Sequence, residues 1–188
     1  KDKVDLLGIP LDGSSSEIIQ RFRKGRKNIF EEQTRILELA NEKQIPICIN
    51  TVLHSGNIGD LKNIFKIIQR YAGVAHWQIF QFMPIGQFGF NQRKTYAISQ
   101  ELFDEQMEKL KEEMSKVKSP IVLQPKSAIS RKNNYLIVDS DGSAWIPKSS
   151  NGSSWNTEDE NNERIIVGNI QNRADIPNII KWISKVEQ

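Results

Sequence analysis

The sequence predicts an α/β fold, specifically a partial, open parallel TIM-type barrel followed by a small C-terminal β-hairpin and helix extension. Two observations carry this prediction. Apolar, β-branched runs alternate with segments of helical periodicity through the first two thirds of the chain, an order typical of parallel sheets with right-handed crossovers. The pattern then changes to short strands around an Asp-Gly turn, which indicates a hairpin.

Apolar runs predict the buried strands of the parallel sheet. Residues 4–9, 45–53 and 76–83 are rich in Ile, Val, Leu and Phe, and Gly, Pro or polar residues follow each run. A shorter run at 121–123 predicts a fourth strand. A closed eight-unit barrel takes about 250 residues, so three or four units indicate either an open sheet or a fragment of a larger barrel.

Helical periodicity separates these runs. Asn28 and Ser99 stand where N-caps are expected, and Asn57 with Asp60 resembles the start of a capping box. The helix after Asn28 is expected to turn its apolar side chains inward. Those side chains are Phe30, Ile36, Leu37 and Ala40. Residues 87–95 contain Gly and Asn and are interpreted as a loop.

The C-terminal third predicts a different architecture. Residues 135–138 and 144–146 flank Asp141-Gly142 as a hairpin, a short strand covers 165–167, and a helix opens near Asp175. We therefore expect a barrel portion at residues 1–126 and an extension at 127–188 that completes or covers it.

Composition excludes several classes of protein. The 188 residues are 38% hydrophobic and 26% charged, with a net charge of +3 and no basic stripe of the kind that binds nucleic acid. No apolar run approaches the ~20 residues of a membrane span. The single cysteine, Cys48, excludes an internal disulfide and a cysteine-ligated cluster, and it favours a cytoplasmic location. The start without Met, close to a strand, suggests an internal boundary.

Several segments together resemble the later half of the radical S-adenosylmethionine (radical SAM) superfamily barrel, and most closely its viperin-like branch. They are Leu11-Asp12-Gly13, Arg23-Lys24-Gly25-Arg26, Ile49-Asn50-Thr51-Val52, Asn57-x-x-Asp60-Leu61 and Trp77 to Gly86. The resemblance implies a parent enzyme that holds S-adenosylmethionine and a [4Fe–4S] cluster through an upstream CxxxCxxC loop. The isolated chain lacks those cysteines, so we expect it to hold neither group and to be inactive.

The resemblance and the strand ends nominate five cofactor-binding residues, which are Asp12, Arg23, Arg26, Asn50 and Gln81. Arg23 or Arg26 could grip the S-adenosylmethionine carboxylate, and a solvated loop is the alternative. Asp12 could meet a ribose hydroxyl or cap its own turn. Asn50 and Gln81 could contact a ligand or form internal hydrogen bonds.

His76 and Gln78 are nominated as substrate-binding residues. In viperin-like nucleotide dehydratases the matching strands carry basic residues that grip a triphosphate, whereas this chain carries Cys48, His76 and Gln78. Neutral groups compensate a triphosphate poorly, so another small molecule or a peptide is the expected substrate. Neither His54 nor His76 is expected to act as a metal ligand or as a catalytic base.

Three expectations concern the chain's partners and its class. Neither nucleic acid nor a membrane is expected as a partner, and an exposed barrel edge could support a dimer. The alternative function is a self-contained α/β ligand-binding module without catalysis. A barrel enzyme with carboxylate or histidine catalysis is disfavoured because no convergent acid–base set occurs.

Overall fold

The computed structural model describes residues 4–25, 27–84, 86–132, 136–147 and 164–186. The chain forms two compact units. The first contains residues 1–82 and 95–127, and the second contains residues 83–94 and 128–188.

A four-stranded parallel sheet forms the centre of the first unit. Its strands are β1 (Leu7–Pro10), β2 (Ile47–Leu53), β3 (Val74–Gln81) and β4 (Val122–Lys126), in the order β1-β2-β3-β4. Each matches one of the apolar runs. The sequence prediction of an α/β fold with a parallel sheet is confirmed, and the open sheet is compatible with a partial barrel.

Helices connect the strands in a β-α alternation, as the periodicity predicts. The helices are α1 (Ser16–Gln20), α2 (Ile29–Glu42), a 3₁₀ helix (Ile58–Asp60), α3 (Leu61–Ile68), α4 (Gly86–Asn91), α5 (Arg93–Tyr96), α6 (Gln100–Lys116), α7 (Ala128–Lys132) and α8 (Ile176–Val186). Residues 87–95 were expected to be a loop, and that expectation is wrong because α4 and α5 occupy them. Among the described helices, none combines the length and apolar character that a membrane crossing requires.

The core of the first unit lies between one face of its sheet and the helices. Side chains alternate along each strand, so every second residue of β2 and β3 faces the helical layer. Trp77 is fully buried there and stacks on Phe65 of α3, with ring centroids 6.4 Å apart. Leu37 of α2 and Phe103 of α6 belong to the same cluster. The opposite face of the sheet contributes none of the residues of this cluster.

The predicted helix caps hold only in part. Ser99 caps α6, because its side chain accepts a hydrogen bond from the Leu102 N–H. Asn28 makes no such bond to α2, and Asp60 makes none to α3. Ile36 was expected to point inward but is 48% exposed, because it lies one position away from the buried stripe that contains Leu37.

The second unit carries a three-stranded antiparallel sheet in the order β5-β6-β7. Its strands are β5 (Ile137–Val138), β6 (Ser143–Pro147) and β7 (Arg164–Asn169), and the β5–β6 hairpin confirms the sequence prediction. Gly142 has φ +83° in the connecting turn, a conformation that favours glycine. Ala144, Val167 and Ile179 of α8 form a small core.

Candidate functional site

A buried carboxylate lies just beyond the end of β1. Asp12 is fully buried, and its Oδ1 accepts a hydrogen bond of 2.7 Å from the Val52 N–H of β2. Its Oδ2 forms an ion pair with Arg23 Nε. A Cβ on the next residue, Gly13, would lie 2.7 Å from Ile18 Cγ2, so glycine lets the strand end approach α1 closely. Asp12 therefore ties the ends of β1 and β2 to the segment after α1.

Arg23 is the exposed partner of this pair. Its backbone N–H donates to Ile19 O at 2.8 Å, and its side chain is 39% exposed. A guanidinium has five N–H donors, and the contact with Asp12 uses the one on Nε. Burial raises the pKa of Asp12, while Arg23 and the Val52 N–H act in the opposite direction. The arrangement can present a fixed guanidinium to an anion.

Asn57 fastens the strand ends from the other side. Its Nδ2 donates to Asp12 O and to Val52 O, both at 2.8 Å, and its Oδ1 accepts from His54 N at 2.8 Å. Asp60 accepts from both the backbone N–H and the hydroxyl of Ser14, at 2.6 and 2.7 Å. Both residues stand at a helix start as expected, since Asn57 precedes the 3₁₀ helix and Asp60 precedes α3, but their side chains hold the loops at the carboxyl edge of the sheet instead of capping these helices.

Four rings form an aromatic cluster beside this network, namely Phe22, His54, Phe82 and Tyr96. Phe22 lies 4.7 Å from His54 and 5.1 Å from Tyr96, measured between ring centroids. The Tyr96 hydroxyl donates to Arg21 O at 2.5 Å. The cluster thus holds the segment Arg21 to Arg23, which carries the guanidinium.

His54 is fully buried within the aromatic cluster. Its Nδ1 accepts from the Gly56 N–H at 3.0 Å, which places the proton of the neutral ring on Nε2. Burial, assisted by the positive charge of Arg23, lowers the pKa of His54 to about 4. Within the described part of the chain, Nε2 has no hydrogen-bond partner. His54 is therefore a neutral ring at neutral pH.

The sheet face opposite the helical core is polar, and we call it the polar face. It carries Asn50 of β2 beside Gln78 of β3, one rung above Cys48 and His76. Asn50, His76 and Gln78 are half-buried, and Cys48 is buried. Gln78 Nε2 donates to Gln124 Oε1 of β4 at 2.9 Å. The structure therefore brings three of the nominated residues together on one surface.

Gln81 does not share that surface. It lies on the helix-covered side of β3, three residues after Gln78, and is 4% exposed. Its Nε2 donates to Ile98 O at 3.1 Å. Arg26 lies outside the described residues. The nominated residues thus divide into the pair Asp12–Arg23, the polar-face group and Gln81.

Three contributors to the site were not among the nominated residues. Asn57 and His54 follow β2, where parallel strands end at a common edge, and that position was a usable signal. Gln124 was missed because the run at 121–123 was interpreted as too short to reach it, whereas β4 extends to Lys126.

The resemblance implies S-adenosylmethionine and a [4Fe–4S] cluster, which need different donor groups from the protein. The described residues contain no cluster of three or more His, Cys, Asp or Glu side chains that could hold a metal, and Cys48 is buried. A [4Fe–4S] cluster does not match these residues. The partly exposed guanidinium of Arg23 does match the carboxylate of S-adenosylmethionine.

Two curated proteins are similar to part of this chain. One is an AdoMet-dependent heme synthase of Oleidesulfovibrio alaskensis, 33% identical over 84 residues, which are 45% of this chain and 21% of that protein. The other is an AdoMet-dependent heme synthase of Nitratidesulfovibrio vulgaris, 32% identical over 84 residues, with 45% and 22% covered. No protein-family model matches the chain.

These similarities support the radical SAM superfamily for this chain. The match spans about a fifth of the length of each curated relative. Both relatives are named as AdoMet-dependent, and the described residues of this chain supply no metal-binding group.

Proposed function

We propose that this chain is part of a radical SAM enzyme and forms one wall of its cofactor and substrate site. The similarity to two AdoMet-dependent heme synthases carries the proposal. The Asp12–Arg23 pair supports it, because a buried carboxylate aims a guanidinium at the edge where ligands of parallel α/β sheets bind.

When bound in the parent enzyme, S-adenosylmethionine and a reduced [4Fe–4S] cluster would together supply the chemistry that abstracts a hydrogen atom from the substrate. The residues of this chain bind and orient. Arg23 holds the carboxylate of S-adenosylmethionine, and Asp12 fixes the Arg23 side chain from behind. Asn50 contacts the nucleoside side of the ligand. Gln81 acts indirectly, by anchoring Ile98.

His76 and Gln78 face the substrate in this proposal. The polar face carries neutral groups at Cys48, His76 and Gln78, so it would compensate a triphosphate poorly. These neutral groups distinguish the chain from viperin-like nucleotide dehydratases. The proposal nevertheless keeps the likeness of its motifs to the viperin-like branch.

The test uses the full-length parent, produced without oxygen and reconstituted with iron and sulfide. With S-adenosylmethionine and dithionite, we expect 5′-deoxyadenosine and methionine to accumulate. The 188-residue chain alone, treated identically, should form neither. A parent that assembles its cluster and still releases no 5′-deoxyadenosine would contradict the proposal and favour a binding module without catalysis.

Arg23 provides a sharper test of the same site. Arg23→Met in the parent should weaken S-adenosylmethionine binding by about tenfold to a hundredfold, because one charge-assisted contact is lost. Arg35 is an exposed arginine of α2, and Arg35→Met is the matched control with unchanged binding. Equilibrium dialysis of folded protein gives the readout. Equal affinities for both variants would remove Arg23 from the cofactor site.

A further inference from the structure

The polar face extends beyond the residues that the sequence analysis nominated. The strand register aligns Asn50, Gln78 and Gln124 on one rung. The next rung toward the carboxyl edge aligns Val52, Phe80 and Lys126. β4 therefore adds an amide and an ammonium group to the polar face.

Gln124 organises the amides of this face. Its Oε1 accepts from Gln78 Nε2 at 2.9 Å, and its Nε2 lies 3.4 Å from His76 Nδ1. These contacts fix the orientation of three neighbouring side chains. All three are half-buried, and each polar group has hydrogen-bonding capacity beyond the contacts described. These three side chains can present hydrogen-bond donors and acceptors to a ligand in a fixed order.

Lys126 supplies the charge of this face. It is the only Lys or Arg in the four strands, and those strands contain neither Asp nor Glu. In the part of the chain that the structure describes, no ion pair engages Lys126. Burial raises the pKa of the Cys48 thiol, and the positive charge of Lys126 partly opposes that rise, so the ammonium group lies near the polar face.

We propose that the polar face binds a small molecule with a single carboxylate, held by Lys126 and read by Gln124 and Gln78. A single cation that forms no ion pair with any other described residue matches one anionic group, whereas a polyphosphate needs several. Val52 and Phe80 share the rung of Lys126 and give the carbon skeleton an apolar contact. The assignment of this molecule as the substrate rests on the proposed function.

Benzoate is the probe, and benzamide is its uncharged counterpart. Each is titrated into the ¹⁵N-labelled 188-residue chain, and the side-chain amide signals of Gln78 and Gln124 are followed with the backbone signal of Lys126. Benzoate should shift these signals saturably. Benzamide should bind the unmodified chain at least about tenfold more weakly than benzoate does. Benzoate should bind the Lys126→Met variant at least about tenfold more weakly than the unmodified chain. In both cases the charge-assisted contact is lost.

Lys66→Met is the matched control, because Lys66 is exposed on α3 in the helical layer. It should bind benzoate as the unmodified chain does. If Lys126→Met perturbs folding, Lys126→Arg retains the charge and should retain binding, while Gln124→Leu should weaken it. Equal benzoate affinity in Lys126→Met and Lys66→Met, or equal affinities for benzoate and benzamide, would overturn the proposal.

The two proposals fail in different assays. Absence of benzoate binding while the parent releases 5′-deoxyadenosine would reject the carboxylate site alone. Benzoate binding that depends on Lys126, with no 5′-deoxyadenosine from a parent that holds its cluster, would reject the radical chemistry and leave the carboxylate site in place.

Discussion

His54 is the residue whose protonation the fold opposes most directly. Its pKa is lowered to about 4 in the folded chain, against about 6.5 when it is unfolded. Because the unfolded chain binds the proton more tightly, this contribution to the unfolding free energy is complete above about pH 6.5 and is lost as the pH falls toward 4. We expect a loss of about 2–3 kcal/mol from this group between pH 7 and pH 4.5, measured by urea unfolding at the two pH values.

The variant His54→Gln isolates this contribution. It removes the titrating ring, so the difference in unfolding free energy between the two pH values should shrink by most of that amount. The variant can be less stable at both pH values without affecting the test. A pH dependence equal to that of the unmodified chain would show that other groups produce it.

Asp12 has two separable contacts, and two substitutions separate them. Asp12→Asn keeps an oxygen for the Val52 N–H but loses the charge that faces Arg23, and we expect a cost of about 1 kcal/mol. Asp12→Ala leaves the buried Val52 N–H without its acceptor and should cost about 2–3 kcal/mol. Urea unfolding at pH 7 measures both. Equal costs would show that the backbone contact is unimportant.

Individual site residues could be predicted from the sequence more readily than the residues that they contact. Asp12 precedes a glycine after a strand, so it attracted notice, but Arg23 and Val52 are 11 and 40 positions away. Only the packed fold brings them within contact. The division of Gln78 and Gln81 between opposite faces, however, follows from strand alternation alone and could have been predicted.

The N-cap of α6 is a local feature with a measurable effect. The Ser99 side chain accepts the Leu102 N–H at 3.2 Å. Ser99→Ala should lower the unfolding free energy by about 1 kcal/mol, because a helix-end donor loses its acceptor. Ser115→Ala, at an exposed position near the other end of the helix, should change it by less than about 0.5 kcal/mol. Similar losses in both variants would contradict a capping effect.

Thr51 of β2 bonds to the residue after β1 and to β3, its two neighbours in the sheet of the first unit. Its hydroxyl donates to Leu11 O at 2.7 Å and accepts from Trp77 Nε1 at 2.9 Å. Thr51→Val keeps the shape but leaves both buried partners unpaired, so we expect a loss of about 2–4 kcal/mol in urea unfolding. Thr51→Ser keeps the hydroxyl and should lose less. If Ser is as damaging as Val, the methyl group rather than the hydroxyl matters.

Elements with a strong apolar pattern were predictable, and those without one were not. All four parallel strands and the long helices α2 and α6 follow periodic runs in the sequence. α4 was missed because Gly86, Gly89 and Asn91 are poor helix formers, so packing rather than propensity selects the helix there. Asn57 and Asp60 stand at the helix start that the sequence predicts, but their side chains bond to a neighbouring loop and strand end rather than to the backbone N–H groups of the helix.

At the scale of the whole molecule, the sheet of the first unit is open. In the order β1-β2-β3-β4, the strands β1 and β4 each have one neighbouring strand among the described residues. Leu6, next to β1, is 50% exposed. An edge strand with an apolar neighbour favours pairing with another strand. The dimer expected at such an edge stays a prediction.

Sedimentation velocity tests that expectation. The 188-residue chain should form a dimer whose share increases with concentration, and Leu6→Lys should shift it to monomer, because a charge at the edge opposes strand pairing. Val117→Lys replaces a side chain that is 56% exposed after α6 and should leave the dimer intact. A monomer at all concentrations would end the dimer proposal.

The alternation of strands and helices made the overall class predictable, since a parallel sheet is the arrangement that buries such a pattern. Barrel closure was not predictable in the same way. A barrel closes only when the strands at both edges of the sheet find partners. The four apolar runs predict only which strands are neighbours within the sheet.

Arg23 serves two neighbours, and this shared role gives the chain an internal reporter. Its guanidinium pairs with Asp12, and its positive charge contributes to the low pKa of His54. An anion bound to Arg23 would offset that charge, so the imidazole should become easier to protonate when the site is filled. The ring signals of His54, followed against pH by NMR, would then register occupancy of a site that the ring itself does not touch. Ligand binding at the edge of the sheet and proton binding inside the aromatic cluster would be linked equilibria.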